Sequence, residues 1–130
     1  MIDASWRPSD VVRSFVAAWN ANDLGRVLEH LHEDVIYHNM PVEPIKGRPA
    51  VKAYLDGKGA FDWIRWTLLA IAESGDKVLT ERIDEFGLGG VDVRLPLMGI
   101  FEIEEGQIRA WRDYFDMASY ARQLSPGTGG

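Results

Sequence analysis

Four segments between Phe61 and Phe115 constrain this chain most. WIRWTLLAIAES, DKVLTERIDEFGL, VDVRLPLMGIFEIEEG and QIRAWRDYF alternate apolar with polar residues or run apolar, and the turns SGD, GLGG and EEGQ separate them. β-Branched and aromatic residues at period two, punctuated by glycine turns, predict consecutive strands joined by hairpins. A sheet of that kind has to cover one of its faces. The cover comes first in the chain. Val11, Phe15, Ala18 and Trp19 recur at helical spacing behind Pro8, Ser9 and Asp10, and Leu24, Val27, Leu28 and Leu31 form a second stripe opened by Asp23.

VIYHNMP, 35–41, turns to β-branched and aromatic residues and is stopped by a proline, which predicts a short strand. GRPAVKAYL, 47–55, returns to helical spacing for about two turns, MASYARQL predicts a short helix, and SPGTGG reads as a frayed tail. Helices segregated ahead of hairpin-connected strands predict an α+β fold, a curved antiparallel (mixed) sheet covered by helices on one face and closing over a pocket. At 130 residues, 46% of them hydrophobic, the chain is sized for one packed domain spanning 1–130.

Charge and composition remove several function classes. A net charge of −6 with no Lys/Arg run longer than two argues against nucleic acid as partner. Without cysteine there is no thiol nucleophile, disulfide framework or Cys-based metal site. No export signal is visible, and no apolar stretch approaches the roughly 18 residues of a membrane span. The expectation is a soluble cytoplasmic protein. HLHED, 30–34, invites a metal reading, but residues two apart on a helix point about 200° away from each other, so a solvated helix end is expected there. GLGG, 87–90, lacks the following helix that a phosphate cradle needs and is read as a hairpin turn.

Three strand segments carry polar side chains two residues apart and therefore on one face: Tyr37 with Asn39, Arg82 with Asp84, and Asp113 between Trp111 and Phe115. Val78, Thr80 and Phe86 give the Arg82 face an apolar frame with a charged middle. Singly, the first two pairs have structural explanations, a satisfied turn backbone for Tyr37 and Asn39 and a surface ion pair for Arg82 and Asp84. Asp113 does not. An ionised group among aromatics needs a partner, and a guanidinium can serve two carboxylates at once, which makes Arg82 the natural candidate.

NDLGRVLEHLHEDVIYHNMP, VLTERID and LMGIFEIEEGQIRAWRDYFD together resemble the limonene-1,2-epoxide hydrolases, which share the cone-shaped fold of nuclear transport factor 2 and the ketosteroid isomerases. Most specific is the succession Tyr-x-Asn-Met-Pro, Glu-Arg-x-Asp and Trp-Arg-Asp-Tyr-Phe-Asp. The resemblance implies a catalytic set of Asp84, Arg82, Asp113, Tyr37 and Asn39. In it Asp84 is the general acid, Asp113 the general base, Arg82 the bridge between them, and Tyr37 and Asn39 hold the attacking water. It further implies a vicinal diol product, no cofactor or metal, and a homodimer paired through the exposed face of the sheet. The implied pocket lining is Val16, Trp19, Phe61, Trp63, Trp66, Phe86, Leu95, Leu97, Phe115 and Tyr120, suited to a small apolar epoxide. The fold also hosts ketosteroid isomerases, polyketide cyclases and non-catalytic ligand-binding modules, which stand as the alternative reading.

Overall fold

The computed structural model describes residues 5–124, so the reading of SPGTGG as a tail lies outside the described residues. Helix α1 (Pro8–Asn20) begins with Pro8 in its first turn, where a missing N–H costs nothing, and the Asp10 carboxylate accepts the Arg7 backbone N–H at 3.1 Å. Asp23 caps α2 (Leu24–Glu29) by accepting the Arg26 N–H at 3.1 Å. Then come β1 (Leu31–Asn39), β2 (Ile45–Lys46) and α3 (Arg48–Gly57). Four long strands, β3 (Trp63–Ser74), β4 (Lys77–Leu88), β5 (Val91–Glu104) and β6 (Gln107–Tyr114), lead into α4 (Met117–Leu124).

The six strands form one sheet in the order β2-β1-β6-β5-β4-β3. The three long hairpins are antiparallel as expected, and β1 lies parallel to β6, which makes the sheet mixed. That pairing sets Tyr37 opposite Trp111 and Asn39 opposite Asp113. It is the step of the topology that builds the site, since it carries two N-terminal polar residues to the C-terminal strand.

Two local expectations are corrected. HLHED is not a solvated helix end: α2 stops at Glu29, His30 caps it while almost fully buried, and Leu31 already opens β1. Ser14 Oγ and the Arg26 carbonyl occupy the two His30 ring nitrogens at 2.8 and 2.6 Å, which fixes the ring in the core. The two-residue strand β2 was not expected, because two residues leave no period to read.

Phe15 anchors α1 to the sheet. Its ring meets those of Trp19, Trp66, Phe101 and Trp111 edge-on, with centroids 5.0–6.2 Å apart. The pocket opens beside this aromatic core, with Trp19, Trp66 and Trp111 in its wall.

Candidate active site

Alternation along β4 turns Thr80, Arg82 and Asp84 inward, and all three are buried. Arg82 grips Asp84 with two prongs, Nε donating to Oδ1 at 3.0 Å and Nη2 to Oδ2 at 2.8 Å. The same Nη2 donates to Asp113 Oδ1 and Oδ2 at 3.1 and 3.2 Å. Nη1 donates to Thr80 Oγ1 at 3.1 Å, and that hydroxyl donates onward to the Gly99 carbonyl at 3.0 Å. The guanidinium plane is covered by rings, with Cζ 4.5 Å from the Trp66 centroid and 5.5 Å from that of Phe101. Every nitrogen of Arg82 is thus used, which is what a buried guanidinium requires.

Arg82 reaches Asp113 by crossing β5, and Gly99 is what lets it pass. Gly99 pairs with Thr80 on one side and Asp113 on the other. A Cβ there would stand 2.5 Å from Arg82 Nη1 and 2.5 Å from Asp113 Oδ1, closer than such atoms pack. Glycine inside a strand is a signal of close approach, so this residue was visible in LMGIFEIEEG, though not as part of a site.

Beside Asp113, the Tyr37 ring stacks on Trp111 with centroids 3.9 Å apart, and Asn39 Nδ2 donates to Tyr37 Oη at 2.9 Å. Burial pushes the Asp84 carboxyl up to about 6, against the downward pull of Arg82. Burial also raises Asp113 above the usual carboxylate range. Burial pulls Arg82 down, but the two carboxylates outweigh it and hold the guanidinium charged. Tyr37 is raised well above an ordinary phenol by burial and by Asp113, and so stays a neutral hydroxyl.

These groups open into a cavity of about 650 Å³, counting its solvent-open mouth. Trp19, Phe61, Trp66, Phe86, Leu95, Leu97, Phe115 and Tyr120 stand in its wall with Tyr37, Asn39, Asp84 and Asp113. Val16 and Trp63, both expected there, do not. Val16 packs inside the core, and Trp63 turns outward, its indole N–H donating to Asp92 Oδ1 at 3.0 Å. Gly87 makes room for that indole, since a Cβ would collide with it. Ile64 takes the inward place, because Ile64 and Trp66 share a face of β3 and Trp63 cannot. Tyr54, Leu55, Lys58 and Trp111 complete the wall and were missed. Among the described residues, no group of three or more His, Cys, Asp or Glu is placed to hold a metal ion.

Chemically, the inner end offers two carboxyls bound to one cation, one of them titrating near neutrality, beside two neutral hydrogen-bonding groups in an apolar wall. Such a set can give a proton to one atom while taking one from another.

Comparison with known proteins points the same way. The limonene-1,2-epoxide hydrolase catalytic domain family matches residues 7–125. Epoxide hydrolase EphG of Mycobacterium tuberculosis is 31% identical over 119 residues, 89% of this chain and 78% of that protein. A solved M. tuberculosis structure, described as an LEH-like epoxide hydrolase, superposes with a TM-score of 0.80 at 29% identity, covering 92% of this chain and 90% of the other. An NTF2-like protein of unknown function from Burkholderia pseudomallei has the same fold at 21% identity, with a TM-score of 0.80 over 91% of this chain and 97% of the other.

Proposed function

The chain belongs to the limonene-1,2-epoxide hydrolase family, and we propose that it adds water to a cyclic or terpene-type epoxide in one step, giving a vicinal diol without a covalent enzyme intermediate. The observation that carries this reading is the sharing of Arg82 Nη2 by two buried carboxylates, at 2.8 Å to Asp84 and 3.1 Å to Asp113.

Opening an epoxide requires a proton on the departing oxygen as water attacks carbon. Asp84, with a carboxyl raised to about 6, holds a proton that an ordinary aspartate has lost, and it serves as general acid. Asp113 serves as general base. It takes a proton from water while the water oxygen bonds to a ring carbon, the carbon–oxygen bond of the epoxide breaks, and the leaving oxygen receives the Asp84 proton. Tyr37 and Asn39 hold the water against Asp113. Arg82 favours one shared proton over two bare carboxylates or two neutral acids. After release of the diol, the proton gained by Asp113 must be returned to Asp84, a transfer between two carboxyls on the same guanidinium.

A homodimer formed through the outer face of the sheet, as the family implies, would bury Leu79, Met98 and Tyr114, which stand exposed there. The exposed side chains alternate with the inward ones along β4 and β5, so the two faces carry separate functions.

A single turnover in ¹⁸O-labelled water tests the chemistry. The label is expected in the diol at once, and label appearing first in an aspartate refutes direct attack by water. Asp84→Asn and Asp113→Asn are each expected to remain folded while losing about 10²–10⁴ in turnover. A variant that keeps nearly full activity removes that residue from the mechanism.

A further inference from the structure

At the other end of the cavity lies a charge that epoxide opening does not use. Helix α3 places Tyr54 and, four residues on, Lys58 on one face. The Tyr54 ring meets Tyr37 edge-on at 6.1 Å, and Lys58 Nζ stands 4.7 Å from the Tyr54 centroid. The ammonium is therefore two ring contacts from a residue of the proposed catalytic set. Tyr120, from α4, closes the rim against Phe86 and Phe115.

Lys58 is half-buried and lines the cavity, and none of the ion pairs among the described residues includes it. Lys52 of the same helix differs, pairing with Asp56 at 2.7 Å in solvent. Partial burial pulls the Lys58 amine down, but the Tyr54 and Tyr120 hydroxyls raise it above an ordinary lysine, so it stays an ammonium. As the cap residue at the C-terminus of α3, it also sits where the helix dipole favours a cation. A cation at the rim of a largely apolar chamber, with no carboxylate paired to it in the described residues, is a receptor for an anion brought by the ligand.

We propose that Lys58, framed by Tyr54 and Tyr120, binds a carboxylate carried by the substrate on the side away from its epoxide ring, so that the preferred substrates are epoxides bearing a single negative charge. This rests on the epoxide hydrolase reading. One ammonium and two phenol hydroxyls match a monoanion, whereas a phosphate dianion would keep a charge uncompensated. Orientation follows as well. Among the described residues, the cation at the inner end is already shared by two carboxylates and Lys58 is the cation lining the cavity without an ion pair, so an anion is held at the rim and the ring is directed inward.

The test compares 3,4-epoxycyclohexylacetate with its methyl ester. At low salt the wild type is expected to favour the acid about tenfold in kcat/KM, chiefly through KM, and the preference should shrink as salt is added. Lys58→Met keeps the aliphatic stem, so the acid-to-ester ratio is expected to fall to about one, and Lys58→Arg to restore it. A wild-type ratio of one or less, or a ratio unchanged by Lys58→Met, overturns the proposal. Binding supplies an arm independent of turnover, with cyclohexylacetate and its amide titrated against the fluorescence of the pocket tryptophans. Should no epoxide be hydrolysed while cyclohexylacetate binds more tightly than its amide, and only when Lys58 is present, the hydrolase reading falls and the anion site stands. Should neutral epoxides turn over with no preference for acid or cyclohexylacetate, the anion site falls and the hydrolase reading stands.

Discussion

Two ion pairs in this protein have nearly the same length and opposite surroundings. Lys52 Nζ meets Asp56 Oδ2 at 2.7 Å, with the two side chains 61% and 58% exposed. Arg82 Nη2 meets Asp84 Oδ2 at 2.8 Å, with exposures of 0% and 7%. Distance does not separate them; water does. In solvent, the attraction between the charges is screened and nearly cancelled by the hydration each gives up. Inside the sheet neither charge has water to fall back on, so the pair is held only as long as every remaining hydrogen-bonding position is filled. Thr80, Asp113 and the Trp66 ring fill them. The lesson is that the buried pair depends on its neighbours as the exposed pair does not.

That dependence breaks most visibly at Gly99, a residue with no side chain in the cluster. Gly99→Ala puts a methyl group 2.5 Å from both Arg82 Nη1 and Asp113 Oδ1. Neither atom can yield without losing a partner, because Nη1 is bound to Thr80 and Asp113 to Arg82. The expected result is a loss of about 100-fold in diol formation together with about 1–3 kcal/mol of stability in urea unfolding. Wild-type activity and stability in Gly99→Ala would mean that the cluster shifts freely, which puts it in the class of the surface pair.

A smaller effect sharpens the contrast through pH. Most paired carboxyls have a lowered pKa when folded and lend stability that is lost in acid. Asp84 runs the other way, because burial lifts it from 3.8 to about 6 despite Arg82. The folded protein holds this proton more tightly than the unfolded chain. The contribution is therefore fully present below about pH 3.8 and lost as pH rises through about 6. Denaturant unfolding of wild type and Asp84→Asn from pH 4 to 7 isolates it. The wild type is expected to lose ground to the variant as pH rises, and a difference that stays flat across that range contradicts a raised Asp84.

How far the sequence reached follows the same line between local and distant. Strand alternation is local, and VLTERIDEF already showed Thr80, Arg82 and Asp84 on one apolar face. The α+β fold and the long hairpins were legible for that reason. The parallel pairing of β1 with β6 was not, since more than seventy residues separate its partners and no period records it. Only the family resemblance brought Tyr37 and Asn39 towards Asp113 before the structure did. Trp63 shows alternation overlooked. Residues 63 and 66 cannot share a face of a regular strand, so choosing Trp66 as inward should have selected Ile64 with it. On α1 the signal was too broad, because Val12, Phe15, Val16 and Trp19 are all buried and periodicity does not say which of them reaches the cavity. Lys58 gave no signal at all: LDGKG reads as a helix end, and a lysine at a helix end is ordinarily in solvent.

The smallest effect belongs to the exposed pair. Lys52→Ala removes a salt bridge of 2.7 Å, shorter than the contact of Arg82 with Asp113, yet the change in unfolding free energy is expected to stay within about 0.5 kcal/mol at moderate salt. Two terms oppose each other there. The lost i, i+4 attraction is worth a few tenths of a kcal/mol, and alanine, the better helix former, returns part of it. Adding salt should erase what remains, and diol formation should not respond, since Lys52 lies on the solvent side of α3. A loss above about 1 kcal/mol that persists at high salt would mean that an ion pair's geometry alone sets its worth. In that case the burial of Arg82 would explain nothing special about Asp84.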